Sequence, residues 1–331
     1  MAGRKVHVTI ATSDYDHFRD FKSGRIEAEG IDPTWMELDI HEIFTRFAAW
    51  REWHVSEMSF AKFSAQVTGP DPDIIGLPVF ASRVFRLSSI YVNPAKGIKT
   101  PADLRGKRIG VPEWAQTAAV YTRGWLQHDV GVPLQSIDWV QAGTEDLGRT
   151  EKVPLNLPNG LKLTQVHDKT LNSMLLSGEI DAFFSASIPS PFRAGNPNMV
   201  RLFENYREEE ENYFKRSGVF PIMHVIAMRR DILREFPWIA RNLYIAFDES
   251  RRRSVGRMLE GSVSRYPIPW MLDIAEKMRD LFKGDFYPYG IEENRVTLEA
   301  FLKWSFEQGI AKKHVRPEDI FPEGINPSVK T

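Results

Sequence analysis

The sequence predicts an α/β protein of two lobes joined by hinge crossings, with a helical region towards its C-terminal end. Short stretches of alternating or β-branched residues recur along the chain, and loops and stretches of helical spacing follow them, as in repeated βα units. The character of the chain changes after Asn93 and changes back near Gly218, which marks two crossings between units. With 331 residues, 42% of them hydrophobic and 12% aromatic, each unit has enough chain to bury a core of its own.

The elements follow in order. Lys5 to Ala11 (KVHVTIA) alternates as a strand does and feeds the loop SDYDHF before a helical stretch. Ile43 to Trp53 carries Ile43, Phe44, Phe47 and Ala48 at helical spacing, and HVSEMSF alternates again. Asp73 to Phe80 (DIIGLPVF) is a buried apolar strand and Ser88 to Val92 another. Beyond Asn93 come a loop, a short helix opened by Pro101, a tight turn at Gly106 and a strand ending in Val111-Pro112. Ala115 to Asp129 is expected as a helix, Ile137 to Gln141 as a strand, and Thr170 to Ser177 as a helix leading into the turn and strand of GEIDAFFSA. Gly143 to Gly160, rich in Pro, Gly, Asn and charge, reads as a long irregular loop, which in a compact domain is usually functional or mobile. Glu208 to Glu211 reads as a solvated helix face, FPIMHVIAMRR as a strand, and most of Asp231 to Gln308 as amphipathic helices. No internal repeat is visible. Residues 1–93 and 218–331 should therefore form one lobe and 94–217 the other, with a ligand between them where loops leave the strand ends.

Composition narrows the function classes. Forty-three Lys and Arg against 44 Asp and Glu leave no global field to attract nucleic acid or an anionic membrane, so any anion must be recognised locally. The absence of cysteine removes disulfides, thiolate metal sites and a cysteine nucleophile. His7, Thr9, Thr12, Ser13 and Asp14 interrupt the apolar stretch near the amino terminus, so it does not read as a secretory signal, and no apolar run approaches the ~20 residues of a membrane span. A cytoplasmic location is the expectation, with a trimmed leader as the competing one.

Seven stretches spread in order along nearly the whole chain carry a family resemblance: SEMSF (56–60), PVFASRVFR (78–86), LRGKRIGVPEWAQTAAVYTRGWL (104–126), GRTEKVPLNLPNG (148–160), LSGEIDAFFSASIPSPF (176–192), GVFPIMHV (218–225) and YPYGIEENRVTLEAFLKWSFEQG (287–309). They resemble the 4,5-dihydroxyphthalate decarboxylases, a family similar in fold to the type II periplasmic solute-binding proteins. LRGKRIGVP and GEIDA are specific only to that fold, whereas FPIMHV, SRVFR and YPYGIEENR look peculiar to the decarboxylase group. The chain departs from the family pattern at Ala81, Leu87 and His54, where proline, histidine and an acidic residue are usual. The resemblance implies non-oxidative loss of one carboxylate from an aromatic dicarboxylate. Each ring carboxylate of 4,5-dihydroxyphthalate lies para to a hydroxyl, so the ring can act as its own electron sink and no organic cofactor is required. The protein must then supply a cationic grip for carboxylate, a base for the phenol and an acid for the ring carbon.

Candidates exist for each role. Arg83 and Arg86 follow an apolar strand and suit a bidentate grip on carboxylates, or else are surface arginines at a hinge. His224 lies on the same strand face as Ile222 and Ile226, either as a core histidine or as a cleft-facing acid or base. Glu57 and Ser59 fall at a strand-to-loop junction: Glu57 as an acid or the partner orienting a histidine, Ser59 as a carboxylate donor or a helix N-cap. In the loop after the first strand, with Asp14 and Tyr15, His17 is a second acid or base and Arg19 a ligand contact. Backbone N–H groups near Gln116 and Thr117 would hold a carboxylate at a helix start, with Trp114 stacking on the ring. Ser185 and Ser187, with Ser190, offer donors from the second lobe, while Asp181 orients its turn. No metal-ligand constellation stands out, since His54 and Glu57 at HxxE spacing fall on opposite faces of a strand, although scattered His and carboxylates leave room for a divalent ion. The expected partner is a small aromatic carboxylate. The aromatic stripe LEAFLKWSF fits either a homo-oligomer contact or core. The rival function is a non-catalytic solute-binding protein for such an acid.

Overall fold

The fold was analysed in a computed structural model that describes residues 5–325; residues 1–4, at the start of the segment read for an export signal, lie outside them. The strands are β1 (Val6–Thr12), β2 (Ile31–Glu37), β3 (Val55–Ser59), β4 (Ile74–Arg83), β5 (Ile90–Val92), β6 (Arg108–Val111), β7 (Asp138–Gln141), β8 (Lys162–Gln165), β9 (Ala182–Phe184), β10 (Val200–Arg201) and β11 (Ile222–Arg229). They form a five-stranded sheet of order β2-β1-β3-β11-β4 and a six-stranded sheet of order β10-β5-β9-β6-β7-β8. In the first sheet β1 runs parallel to β2 and β3, and β11 returns antiparallel between β3 and β4. The structure therefore has the two-lobed α/β architecture that the sequence predicts.

Burial explains the strand sequences. β1 alternates at its start, with Val8 and Ile10 in the core and His7 exposed, because one face meets solvent there. β3 is buried throughout and β4 nearly so, and their side chains accordingly do not alternate in polarity. Pro78 is tolerated in β4 because that strand is an edge, and the edge is covered: Gly290 N–H donates to Pro78 O at 2.9 Å and Gly76 N–H to Ile320 O at 2.9 Å. The helix Ile40–Trp50 places Ile43 and Phe47 in the core, is capped by Asp39, and ends where Arg51 adopts a left-handed φ of 50°.

Three expectations are corrected. Residues 90–92, assigned to the first lobe from sequence, are a strand of the six-stranded sheet, paired antiparallel with β9 and β10, so the first crossing between sheets lies between Arg83 and Ile90. The short strands β2, β8 and β10 were not foreseen; β2 contains Pro33, and β8 lies just beyond the irregular loop. The charge run at 208–211 is not wholly solvated, because Glu210 is buried and accepts the Ser88 N–H at 3.0 Å.

A single apolar cluster includes residues of both sheets, among them Val8 and Ile10 of β1, Ile109 and Val111 of β6 and Phe184 of β9. A second, smaller cluster, built on Tyr91, Val140, Leu171 and Phe183, also packs on the six-stranded sheet. Helix Thr117–His128 of the second lobe packs against Phe60–Val67 of the first and against the C-terminal helix Arg295–Glu307. No helix among the described residues is long and apolar enough to cross a membrane.

Candidate active site

The strand order brings together side chains far apart in sequence. β11 pairs with β3 so that His224 stands opposite Ser59, and it pairs with β4 so that His224 also stands opposite Ser82. The loop leaving β1 passes over the same strand ends. There the Glu57 carboxylate, fully buried, accepts His224 Nδ1–H at 2.6 Å and Tyr15 O–H at 2.6 Å on one oxygen, and the Ser13 N–H at 2.9 Å on the other. A carboxylate at Nδ1 fixes the histidine tautomer that carries its proton there, which leaves Nε2 as the working nitrogen. The His224 side chain retains 22% of its exposure. Its ring meets Phe44 edge-on at 5.0 Å between centroids. A buried carboxylate aligning a partly exposed imidazole is the arrangement of a general acid/base pair.

The electrostatics agree with that geometry. Burial pushes the Glu57 carboxyl up, but the bonds and charge of His224, the Tyr15 hydroxyl and the Ser13 N–H outweigh it and hold the group below the ordinary carboxylate range. Burial, reinforced by Glu57, drives the Tyr15 phenol far above its ordinary value, so Tyr15 remains a proton-bearing donor. A cavity of about 310 Å³ opens beside Tyr15, the member of this group that lines it, and is walled also by His17, Ser82, Arg83, Arg251 and Tyr287. That volume lies at the lower end of the ~300–1,000 Å³ of small-molecule sites.

The other sequence candidates divide. His17 lines the same cavity, 5.2 Å from the Tyr15 ring and 5.1 Å from the Tyr287 ring; burial lowers it to about 4, so it is neutral at ordinary pH and is not an acid. Arg83 is committed to structure: one terminal nitrogen donates to Asn294 Oδ1 at 2.6 Å, the other to Phe220 O at 2.8 Å, and the guanidinium stacks 4.1 Å over Phe220. It fastens the 288–294 turn to the crossing. Arg86 donates to Ala186 O at 3.0 Å and to Met223 Sδ at 3.1 Å, tying the loop after β9 to the first lobe. Arg19 pairs with Asp16 at 3.0 Å on the surface.

Trp114 is wholly buried, donates to Gln308 O at 2.8 Å and lies under the Arg123 guanidinium at 3.7 Å, so the ring stacks on core and not on a ligand. Ser59 makes no cap of its own helix; its hydroxyl instead meets Thr117 Oγ1 at 3.0 Å, and Thr117 Oγ1 accepts the Ala61 N–H at 3.0 Å. A threonine of the second lobe thus caps a helix of the first. Gln116 stands at the start of helix Thr117–His128, its carboxamide oxygen buried without a hydrogen-bond partner among the described residues. Ser185 and Ser187 bond to each other in a local turn, Ser185 Oγ–H to Ser187 O at 2.7 Å. Asp181 accepts the Arg108 N–H at 2.8 Å and so orients its turn.

Sequence reasoning missed Tyr15 as a partner of Glu57 and the group around Glu113, where Lys62, Arg149 and Glu151 meet; Arg149 lies in the quoted GRTEKVPLNLPNG stretch. Among the described residues no group of three or more His, Cys, Asp or Glu is placed to hold a metal ion. His54 turns away from Glu57, its Nδ1 accepting the Thr9 N–H at 3.0 Å.

The fold is the two-lobed framework of periplasmic binding proteins, with a carboxylate-aligned histidine where the strands of the first sheet meet. The fold is similar to that of a periplasmic sulfonate-binding protein from Methylobacillus flagellatus, with a TM-score of 0.54 and 13% identity over 98% of this chain and 92% of that one. No family model matches the chain. It is 35% identical over 318 residues to a 4,5-dihydroxyphthalate decarboxylase of Comamonas testosteroni, covering 96% of each, and 35% identical over 212 residues to one of Pseudomonas putida, covering 64% of this chain and 82% of that one. The chain belongs to the 4,5-dihydroxyphthalate decarboxylase family and is a carboxy-lyase.

Proposed function

We propose that this enzyme removes one carboxylate from 4,5-dihydroxyphthalate to give protocatechuate, by protonating the ring carbon that bears it. The observation that carries the mechanism is the Tyr15–Glu57–His224 group, whose Tyr15 lines the cavity. Nε2 of His224, charged through the Glu57-aligned ring, delivers a proton to that carbon as the para hydroxyl gives up its own. The dienone so formed expels CO2, the electrons of the broken C–C bond restore the aromatic ring as a phenolate, and the phenolate takes back a proton, so that the net reaction consumes one. Tyr15 keeps the carboxylate in place. The neutral His17 beside Tyr15 is suited to a hydrogen bond with a substrate hydroxyl and not to proton delivery.

The test is incubation of purified protein with 4,5-dihydroxyphthalate, with protocatechuate followed by chromatography and CO2 in the gas phase. Equal product and CO2 are expected, and equally so after EDTA treatment, because the ring is the electron sink. His224→Gln should lower kcat by about 10²–10⁴ with little change in melting temperature. Binding of the acid without any product would overturn the reading in favour of a non-catalytic carboxylate-binding protein.

A further inference from the structure

Arg83 borders the cavity, but its terminal nitrogens are taken by Pro288 O, Asn294 Oδ1 and Phe220 O, and Arg86 donates to Ala186 O, so a dianion needs a further cationic group. Lys62 lies on the first turn of helix Phe60–Val67, three residues beyond Ser59. Its Nζ is 3.1 Å from Glu113 Oε2, and Arg149 reaches the other oxygen of Glu113 with Nε at 2.9 Å and Nη2 at 2.8 Å. Glu113 comes from the loop after β6 and Arg149 from the irregular loop after β7, so the group joins the two lobes. Ser59 stands opposite His224, about 5 Å away between Cα atoms, and Lys62 is about one helical turn further on. The group therefore borders the same strand ends as the acid/base pair.

Its charge is incomplete. One carboxylate, Glu113, only 1% exposed, is shared by two cations of 12% and 33% exposure. The next carboxylate, Glu151, already accepts the N–H groups of Ala115 at 3.1 Å and Lys152 at 3.0 Å, and burial with the nearby Glu113 charge pushes it up, towards its neutral form. Lys152, an exposed neighbour, is held below its ordinary value by partial burial and by the charges of Lys62 and Arg149, which shows the positive field of the group. Two cations on one carboxylate leave a net positive charge that a carboxylate ligand can complete with charge-assisted hydrogen bonds. Arg149 engages Glu113 through Nε and Nη2, which leaves its Nη1 edge for a ligand.

We propose that Lys62 and Arg149, held in position by Glu113, form the site for the carboxylate that an aromatic 1,2-dicarboxylate keeps. This rests on the decarboxylase reading for the identity of the ligand, and it assigns the site's preference for two adjacent carboxylates over one. Arg149 supplies a planar donor edge and Lys62 a point charge from the opposite lobe, so the dianion bridges the lobes while the departing carboxylate faces His224.

Calorimetric titration with phthalate and with benzoate tests this, because phthalate lacks the para hydroxyl that turnover needs. The unaltered protein should bind phthalate at least tenfold more tightly than benzoate. Arg149→Gln and Lys62→Gln should each bring that ratio below about threefold, while Arg149→Lys should restore part of it. Circular dichroism separates misfolding from loss of the site. A ratio unchanged in both Gln variants, or no binding of either acid to the unaltered protein, overturns the proposal. If the ratio behaves as expected but 4,5-dihydroxyphthalate is not decarboxylated, the clamp stands and the reaction assignment falls. If decarboxylation proceeds in both Gln variants with unchanged KM, the reaction stands and the clamp falls.

Discussion

At the scale of single residues, the site assigns two histidines opposite jobs. His224 has a buried carboxylate at Nδ1, whereas His17 sits among Tyr15, Phe18 and Tyr287 with its Nε2 buried and unpartnered among the described residues. Burial lowers His17 to about 4, so between pH 6.5 and 4 the unfolded chain binds the proton that the folded chain refuses. The contribution of the neutral ring to stability is complete above pH 6.5 and is lost as the pH falls towards 4. Its full size is on the order of 2 kcal/mol, less than the shift alone implies because the residue is not wholly enclosed. His17→Phe keeps the aromatic packing without the proton site. Urea unfolding at pH 7 and pH 4.5 should show the variant losing less stability than the unaltered protein over that interval; equal losses would contradict the assignment. Glu57 works in the same direction at lower pH, its carboxyl being held below the ordinary range.

At the scale of elements, two helix starts meet across the lobes. Thr117 Oγ1 accepts the Ala61 N–H, a group that Ser59, the residue at the start of that helix, leaves unbonded in favour of Thr117 itself. Thr117→Val keeps the shape but removes the acceptor, and should cost about 1–2 kcal/mol, read as a fall in melting temperature, while Thr117→Ser should recover most of it. These partnerships also mark where sequence reading ended. Strands with clear alternation or buried apolar runs, such as Val6–Thr12 and Ile74–Arg83, were legible because their periodicity is local. That Glu57 lies near the end of a strand and His224 on one face of another was legible for the same reason. Their contact was not, because it depends on β11 inserting antiparallel beside β3, across 167 residues of chain. Arg83 and Trp114 have the chemistry of ligand contacts, but the atoms that claim them, Phe220 O, Asn294 Oδ1 and Gln308 O, lie far along the chain.

At the scale of the whole molecule, the two lobes share the larger of the two apolar clusters, and the C-terminal helix helps to join them. Helix Arg295–Glu307 lies against helix Thr117–His128, and at their closest approach Gly124 faces the Trp304 ring with no room for a Cβ. Next to that contact Arg123, fully buried, donates to Gln308 Oε1 at 2.8 Å and to Trp114 O at 2.6 Å, while Gln308 Nε2–H donates to Val120 O at 3.0 Å. A lobe held in this way cannot unfold without exposing apolar surface of its neighbour. Thermal unfolding should therefore be a single transition, with far-ultraviolet circular dichroism and the fluorescence of the buried tryptophans changing together. Gly124→Val forces the helices apart and should destabilise by about 1–3 kcal/mol from overpacking. The loss falls on the interface, so the two probes should separate in the variant as the second lobe loosens first. Separate transitions already present in the unaltered protein would show that the shared core does not couple the lobes.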